Sequence, residues 1–213
     1  ATVGLQTSLS LISRQFEAKN NNIDRAEQSL KQISSLLDAV SNASSVEALV
    51  DQAQRSRLSL SLVISNRIDE LSYIHGNKAN LELTVGSDIS FSCNEELIEL
   101  LIDKLVNNAV EHATPGSSVY ILLVQEYNHI VLSVENGGDA LPDDLEKIFN
   151  LNVSSKSKSG EHFGMGLYIA HLITESFGGH IAAKRLSSQT GARFEVTFPI
   201  SQTVKTKSSI VQV

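Results

Sequence analysis

The fold is decided by one stretch of sequence, Asp103-Lys104-Leu105-Val106-Asn107-Asn108-Ala109-Val110-Glu111-His112. It lies inside an apolar-rich segment whose spacing predicts a helix over residues 95–113. Asn94 is a favourable N-cap for this helix, and Thr114-Pro115-Gly116 ends it. The segment therefore predicts one long helix with polar residues at its centre.

The polar residues of this helix are spaced so that they share one face. Two adjacent asparagines are costly inside a helix, because asparagine competes with the backbone for hydrogen bonds. The residues that recur three or four positions apart are Lys104, Asn108, Glu111 and His112. This face is a candidate binding surface, although an ordinary solvent-facing stripe would show the same pattern.

Outward from this helix, strand and helix patterns alternate. The predicted strands are 58–60, 81–85, 89–93, 119–127, 130–135, 180–186 and 193–198, and the other predicted helices are 62–74, 143–149 and 167–177. A hairpin turn is predicted at Asn128-His129. Because most strands are neighbours in sequence, the pattern predicts an α+β sandwich with a mixed, mostly antiparallel sheet covered by helices on one face.

The first third of the chain carries a different pattern. Its apolar residues step by three and four along two segments, Leu5 to Phe16 and Ile23 to Val40, with the turn-favouring Lys19-Asn20-Asn21-Asn22 between them. This predicts an antiparallel helical hairpin that completes a four-helix bundle in a dimer, or else packs against its own chain. The predicted domains are residues 1–57, in which 41–57 are the end of the second helix and a linker, then residues 58–200, and a tail, 201–213.

Composition excludes several classes of protein. The chain has 213 residues, 41% of them hydrophobic, and a net charge of −7, which disfavours general nucleic-acid binding. The single Cys93 excludes an internal disulfide and a cysteine-rich zinc site. No apolar run reaches the roughly 18 to 20 residues of a membrane span, so the chain as given is expected to be soluble.

Two glycine-containing stretches are further candidates, although each is a weak signal alone. Val134-Glu135-Asn136-Gly137-Gly138 ends a strand in a sharp turn, and Asn-Gly is a common turn pair. His162-Phe163-Gly164-Met165-Gly166 opens a helix after a polar loop. Glycines at such a position let a phosphate approach the backbone N–H groups of a helix N-terminus.

Together, the order and spacing of these stretches resemble the Bergerat-type ATP-binding domain of sensor histidine kinases. The resemblance covers residues 58–200 and is strongest at 103–112 and at Gly164-Met165-Gly166-Leu167-Tyr168-Ile169-Ala170. The preceding hairpin resembles the dimerisation and histidine-phosphotransfer domain of the same family. The resemblance implies ATP and Mg²⁺ as cofactors.

Several roles follow from the resemblance, position by position. Asn108 corresponds to the magnesium ligand, and its oxygen suits that hard cation. Asn136 corresponds to the residue that accepts the adenine amine, with Gly138 behind it. Residues 150–163 correspond to a lid over the phosphates. The full set of implied nucleotide contacts is Lys104, Asn108, His112, Asn136, Gly138, Lys156, Lys158, Gly164, Met165, Gly166 and Leu167.

The sequence also departs from the family pattern. The departing residues are Lys104, Glu111, Asn136, Ala140 and His162. The lysine replaces an asparagine and is able to contact phosphate, whereas the carboxylate replaces a basic residue and repels it. An amide in place of the usual aspartate accepts from the adenine amine and donates to the ring nitrogen, without a charge-assisted bond. The pattern predicts an atypical nucleotide site.

The family's phosphorylated histidine has no counterpart in the first hairpin helix. The six histidines are at positions 75, 112, 129, 162, 171 and 180. The chain is therefore expected to begin just after the acceptor and not to autophosphorylate, so no catalytic residue is assigned. The resemblance implies transfer of the ATP γ-phosphoryl group to a histidine and then to a response regulator.

The predicted function is the ATP-binding catalytic core of a two-component sensor kinase. The expected partners are a second copy, bound through the N-terminal helices, and a response-regulator receiver domain, but no nucleic acid. The domain is expected in the cytoplasm, with the parent protein anchored in the bacterial inner membrane through upstream segments. The alternatives are a degenerate dimeric scaffold, with or without nucleotide, and an ATPase of the wider superfamily.

Overall fold

The computed structural model describes residues 41, 44–150, 165–186 and 190–200. The chain divides into two compact units, Ala1–Asn42 and Ala43–Val213, and the second, which contains the predicted catalytic core, is termed the catalytic unit. The predicted helical hairpin, most of the predicted lid with Lys156 and Lys158, Gly164, and the tail 201–213 lie outside the described residues. The domain start at residue 58 stays a prediction.

The catalytic unit is built on a five-stranded mixed sheet with the order β2-β4-β5-β7-β6. Its strands are β2 (Asn80–Val85), β4 (Ser118–Glu126), β5 (His129–Gly137), β6 (His180–Arg185) and β7 (Gly191–Pro199). The β2–β4 pair is parallel and the other three pairs are antiparallel. A separate two-stranded sheet pairs β1 (Ser56–Ser59) with β3 (Ser90–Cys93). The predicted mixed, mostly antiparallel sheet is confirmed.

One face of the large sheet is covered by helices. These are α2 (Leu60–His75), α3 (Glu95–His112) and α4 (Met165–Ser176). Along β4, Val119, Ile121 and Leu123 are buried, whereas the intervening Tyr120 and Leu122 are exposed. This alternation is the mark of a strand with one face in the core. The α+β sandwich predicted from the sequence is therefore the observed architecture.

Three local predictions were wrong. Leu60 begins α2 rather than ending a strand, because the Ser59 hydroxyl caps the helix by accepting from the Leu62 N–H at 3.3 Å. The predicted helix over 143–149 is only a 3₁₀ turn, Lys147–Phe149. The hairpin turn is Tyr127 and Asn128, since His129 already pairs with Glu126 as the first residue of β5.

The segment predicted as a linker packs on the catalytic unit. Residues 44–52 form a helix, α1, whose Val46 is 5% exposed and belongs to the core. After α1, the Arg55 guanidinium lies 5.0 Å from the centre of the Phe177 ring and donates to the Ser176 carbonyl. The Gln54 carbonyl accepts from the Asn94 side chain at 3.3 Å. The chain therefore passes the C-terminal end of α4 just before β1 begins.

Burial of Cys93 gives the core a dependence on alkaline pH. The side chain is fully buried, and this burial raises the pKa of its thiol to about 11 from an ordinary value of 9.0. The stabilising neutral thiol is fully present below pH 9.0 and is lost as the pH rises towards about 11. From pH 8 to 10, we expect the free energy of unfolding to fall more steeply for the unaltered chain than for Cys93→Ala. Urea denaturation at both pH values measures this, and equal slopes would contradict it.

No helix in the part of the chain that the structure describes is long and apolar enough to cross a membrane.

Candidate functional site

The site is organised by α3, which the sequence predicted within one residue of its observed end. The Asn94 side chain caps it, accepting from the Leu97 N–H at 3.0 Å. Its buried face packs into the core through Leu97, Ile98, Leu101, Ile102, Leu105, Val106, Ala109 and Val110. This apolar face fixes the rotation of the helix, and with it the direction of the polar stripe.

The structure confirms that the polar stripe lies beside the buried face. Lys104, Asn108 and His112 are half-buried on successive turns, and Glu111 is exposed. Within the described residues, neither the Lys104 ammonium nor the Asn108 amide has a hydrogen bond or ion pair. Asn107, by contrast, is exposed and its Oδ1 lies 2.7 Å from His75 Nε2 on α2. The two adjacent asparagines are therefore in different surroundings.

One end of the stripe meets the start of α4. A Cβ placed on Gly166 would lie 4.0 Å from Lys104 Cδ and 3.8 Å from the Lys104 carbonyl. The first turn of α4 carries backbone N–H groups without helical partners. Met165 and Leu167, on either side of Gly166, pack partly into the core. A lysine next to a helix N-terminus makes this end favourable for an anion such as phosphate.

The other end of the stripe faces the last residues of β5. Asn136 lies between Val119 of β4 and Ala192 of β7, and its side chain is fully buried. Neither Oδ1 nor Nδ2 of Asn136 has a hydrogen-bond partner among the residues that the structure describes. Buried polar groups are almost always hydrogen-bonded, and leaving one unpaired costs about 1 to 3 kcal/mol. The amide is thus prepared for a partner that the described residues do not supply.

Gly138 allows the end of β5 to pack closely against the end of α3. Its φ is +148°, and a Cβ there would lie 2.0 Å from the His112 carbonyl oxygen. Two hydrogen bonds lock the strand end to the end of α3, from Thr114 N–H to the Gly137 carbonyl at 2.9 Å and from Asp139 N–H to the His112 carbonyl at 3.2 Å. The structure gives Gly138 a packing role, which the sequence missed because Asn-Gly also marks ordinary turns.

The charged groups around His112 and Asn136 lie at the edges of the site. His112 Nδ1 is 3.4 Å from Asp139 Oδ2, and the Asp139 side chain is exposed. Glu135 points to the opposite face of the sheet, where its carboxylate accepts from Arg193 Nε at 2.7 Å. The end of the stripe next to β5 is therefore lined by a neutral amide between two apolar residues.

The polar stripe supplies one half-buried side-chain oxygen suited to a magnesium ion, that of Asn108. Magnesium is usually held by one or two protein side chains together with substrate phosphates and water. Asn108 Oδ1 lies one helical turn from Lys104, on the same stripe as the anion-favouring end. No group of three His, Cys, Asp or Glu residues able to hold a metal occurs in the described part of the chain. The residues present fit a metal that arrives with phosphate.

Comparisons with known proteins agree with this geometry. Residues 93–202 match the family model described as histidine kinase-, DNA gyrase B-, and HSP90-like ATPase. The sensor protein ChvG of Rhizobium meliloti is 23% identical over 205 residues, which are 88% of this chain and 36% of ChvG. The chain thus spans about a third of the length of that curated relative.

Two solved structures share the fold. The mycobacterial sensor histidine kinase MprB superposes with a TM-score of 0.60 at 17% identity, covering 68% of this chain and 97% of that one. Full-length ShkA in complex with AMPPNP superposes with a TM-score of 0.65 at 18% identity, covering 80% of this chain and 36% of that one. At these identities the likeness concerns the fold alone.

Proposed function

Since the chain belongs to the family of histidine kinase-, DNA gyrase B- and HSP90-like ATPases, which its match over residues 93–202 shows, we propose that it binds Mg-ATP along α3 for phosphoryl transfer to a histidine. The catalytic unit is an ATP-binding domain of the sensor histidine kinase type. The relatives do not favour the alternative of a degenerate scaffold. The transfer itself, its histidine acceptor and the onward relay belong to the proposal.

The observation that carries the proposal is the pair of unpartnered groups at the two ends of the stripe. Asn136 offers a buried amide at one end, and Lys104 lies against the start of α4 at the other. Lys104 and His112 are eight residues apart, so the stripe extends about 12 Å along the helix. A nucleoside triphosphate has a base at one end and phosphates at the other, and it suits a site of this length and polarity.

Each residue has a distinct task in this proposal. Asn136 orients the base, while Lys104 and the first N–H groups of α4 hold the phosphates. Asn108 supplies the oxygen for magnesium, and bound magnesium would neutralise charge on the phosphates. Because phosphoryl transfer depends mainly on positioning and charge neutralisation, these contacts are the domain's share of the chemistry. The exposed Glu111 carboxylate opposes binding unless a cation lies between it and the phosphates.

We propose further parts of the system from the resemblance and the named relatives. The ShkA structure is a complex with AMPPNP, which supports a nucleotide as the ligand of this chain. The relatives are called sensor proteins, which supports a response-regulator receiver domain as partner. The first 40 residues are proposed to dimerise two copies, and the domain to work in the cytoplasm of a membrane-anchored parent. Lys156, Lys158 and Gly164 are proposed phosphate contacts.

Titration with a hydrolysis-resistant ATP analogue tests the proposed function. The unaltered chain should show saturable binding of the analogue that Mg²⁺ strengthens, and a lack of saturable binding would contradict the proposal.

Lys104→Met should weaken binding of the analogue by about tenfold, because one charged hydrogen bond to phosphate is lost, and should leave adenosine affinity unchanged.

A matched lysine controls for the loss of one positive charge. Lys184 of β6 lies on the opposite face of the sheet, where its Nζ is 2.7 Å from Glu195 Oε1. We expect Lys184→Met to leave analogue affinity within about twofold, since exposed ion pairs contribute little. Equal affinities of Lys104→Met and Lys184→Met would remove Lys104 from the phosphate site.

A further inference from the structure

We propose that Asn136 lets this site accept 6-oxopurine nucleotides, with a hypoxanthine or guanine base, as well as ATP. The inference rests on the proposed function and names the substrate class of the same site. It follows from the chemistry of an amide at the base position together with the surroundings of that amide in the structure.

The hydrogen-bonding groups of the side chain decide which purine edge it matches. An ionised carboxylate only accepts, whereas an amide has one accepting oxygen and one donating nitrogen. Adenine presents an amine donor beside a ring-nitrogen acceptor, and a 6-oxopurine presents a carbonyl acceptor beside a ring N–H donor. Exchanging the positions of Oδ1 and Nδ2 by a half-turn of the amide converts the complement of one edge into the complement of the other.

The structure leaves this half-turn unopposed. In the described part of the chain, Oδ1 and Nδ2 of Asn136 both lack a hydrogen-bond partner, and the side chain is fully buried. Other asparagines of the same unit are fixed by their neighbours. Asn107 Oδ1 bonds His75, and Asn94 Oδ1 accepts from the Leu97 N–H while its Nδ2 donates to the Gln54 carbonyl. Asn136 alone among these three has no bond that favours one orientation of its amide.

The strand partners of Asn136 do not select a base either. Val119 and Ala192, its partners on the adjacent strands, are apolar and at most 4% exposed. The carboxylate nearest in sequence, Glu135, is held on the opposite face of the sheet by Arg193. The strand partners of Asn136 therefore leave its amide able to pair with either the amine or the carbonyl of a purine.

A competition experiment on the full chain tests the proposal. Mg-ATP and Mg-ITP would each be titrated against a bound fluorescent ATP analogue, because ITP carries the 6-oxo edge without the extra amine of guanine. We expect the two dissociation constants to agree within about tenfold. Asn136→Asp should then raise the ratio of the ITP dissociation constant to the ATP dissociation constant by at least about tenfold. A carboxylate repels the 6-oxo group and has no proton to donate to it.

The outcomes separate this proposal from the proposed function. ATP binding with ITP more than about tenfold weaker in the unaltered chain would overturn the 6-oxopurine proposal and leave Mg-ATP binding intact. Failure of both nucleotides to compete would overturn both proposals. Asn107→Asp is the matched control and should leave the ratio unchanged, and the ratio of the unaltered chain decides the question even if Asn136→Asp does not fold.

Discussion

Replacing Gly138 with alanine should unfold the catalytic unit or lower its free energy of unfolding by at least about 3 kcal/mol. The added Cβ would lie 2.0 Å from the His112 carbonyl oxygen, which is backbone and cannot move aside cheaply. The φ of +148° is also one that L side chains rarely adopt. Either the strand end or the end of α3 must shift, so the Asn136 amide would be displaced with it. Urea denaturation followed by circular dichroism measures the loss.

Gly116 provides the matched control for this substitution. Its φ is +78°, but a Cβ there would have no atom within 4 Å. Gly116→Ala therefore carries the backbone strain without the collision, and we expect a loss of about 1 to 2 kcal/mol. If Gly138→Ala were no more destabilising than Gly116→Ala, the close approach between β5 and α3 would not hold the site together.

Replacing Asn108 with alanine should weaken binding of a Mg-ATP analogue by about tenfold or more. The substitution removes the half-buried side-chain oxygen that the polar stripe offers to the metal, while the core face of α3 is untouched. Alanine is also a better helix former than asparagine, so the helix itself should not be weakened. Binding measured in excess chelator should be almost the same for the variant and the unaltered chain. Calorimetric titration with and without Mg²⁺ gives both values.

The adjacent asparagine makes the control unusually close. Asn107→Ala has the same chemistry one residue away, but it removes a hydrogen bond to His75 instead of a group on the stripe. We expect a loss of about 1 kcal/mol in stability and no change in nucleotide affinity. Equal effects of the two substitutions on Mg-dependent binding would show that Asn108 has no special role.

Local signals account for what the sequence predicted well. The helix predicted over 95–113 is observed at Glu95–His112, because its cap, its apolar period and its stop are all local features of this segment. The face shared by Lys104, Asn108 and His112 follows from the helical repeat alone. Strands β4 and β5 were recovered because each is a run rich in aliphatic and β-branched residues, with the turn-favouring Asn128 between them.

Non-local contacts account for what the sequence missed. Residues 44–52 lack a regular seam, yet Val46 is buried because this helix packs on the core of the catalytic unit. The collision that forbids a side chain at Gly138 involves a helix end 26 residues earlier in the chain. Nor did spacing indicate that the Asn136 amide is buried and unpartnered, because its neighbours Val119 and Ala192 come from other strands.

The net charge of −7 describes the whole chain and does not report the charges around one site. An acidic chain should repel a polyanion at a distance, and composition correctly disfavours binding to a phosphate backbone. The stripe on α3 instead places one lysine beside a helix N-terminus, where backbone N–H groups also favour phosphate. Binding of a single nucleotide depends on this local arrangement, which overall composition does not report.

The side-chain amide resonances of Asn136, Asn108 and Asn107 offer the most direct test of a single nucleotide site along α3. In a ¹⁵N-labelled chain, with each resonance assigned from its alanine variant, a Mg-ATP analogue should shift the Asn136 and Asn108 amides together and leave Asn107 in place. Adenosine alone should shift Asn136 but not Asn108, because it has a base and no phosphate to carry the metal. An Asn136 amide that does not respond to the analogue, or an Asn108 amide that responds fully to adenosine, would contradict a single site with its base end at β5 and its phosphate end at α4.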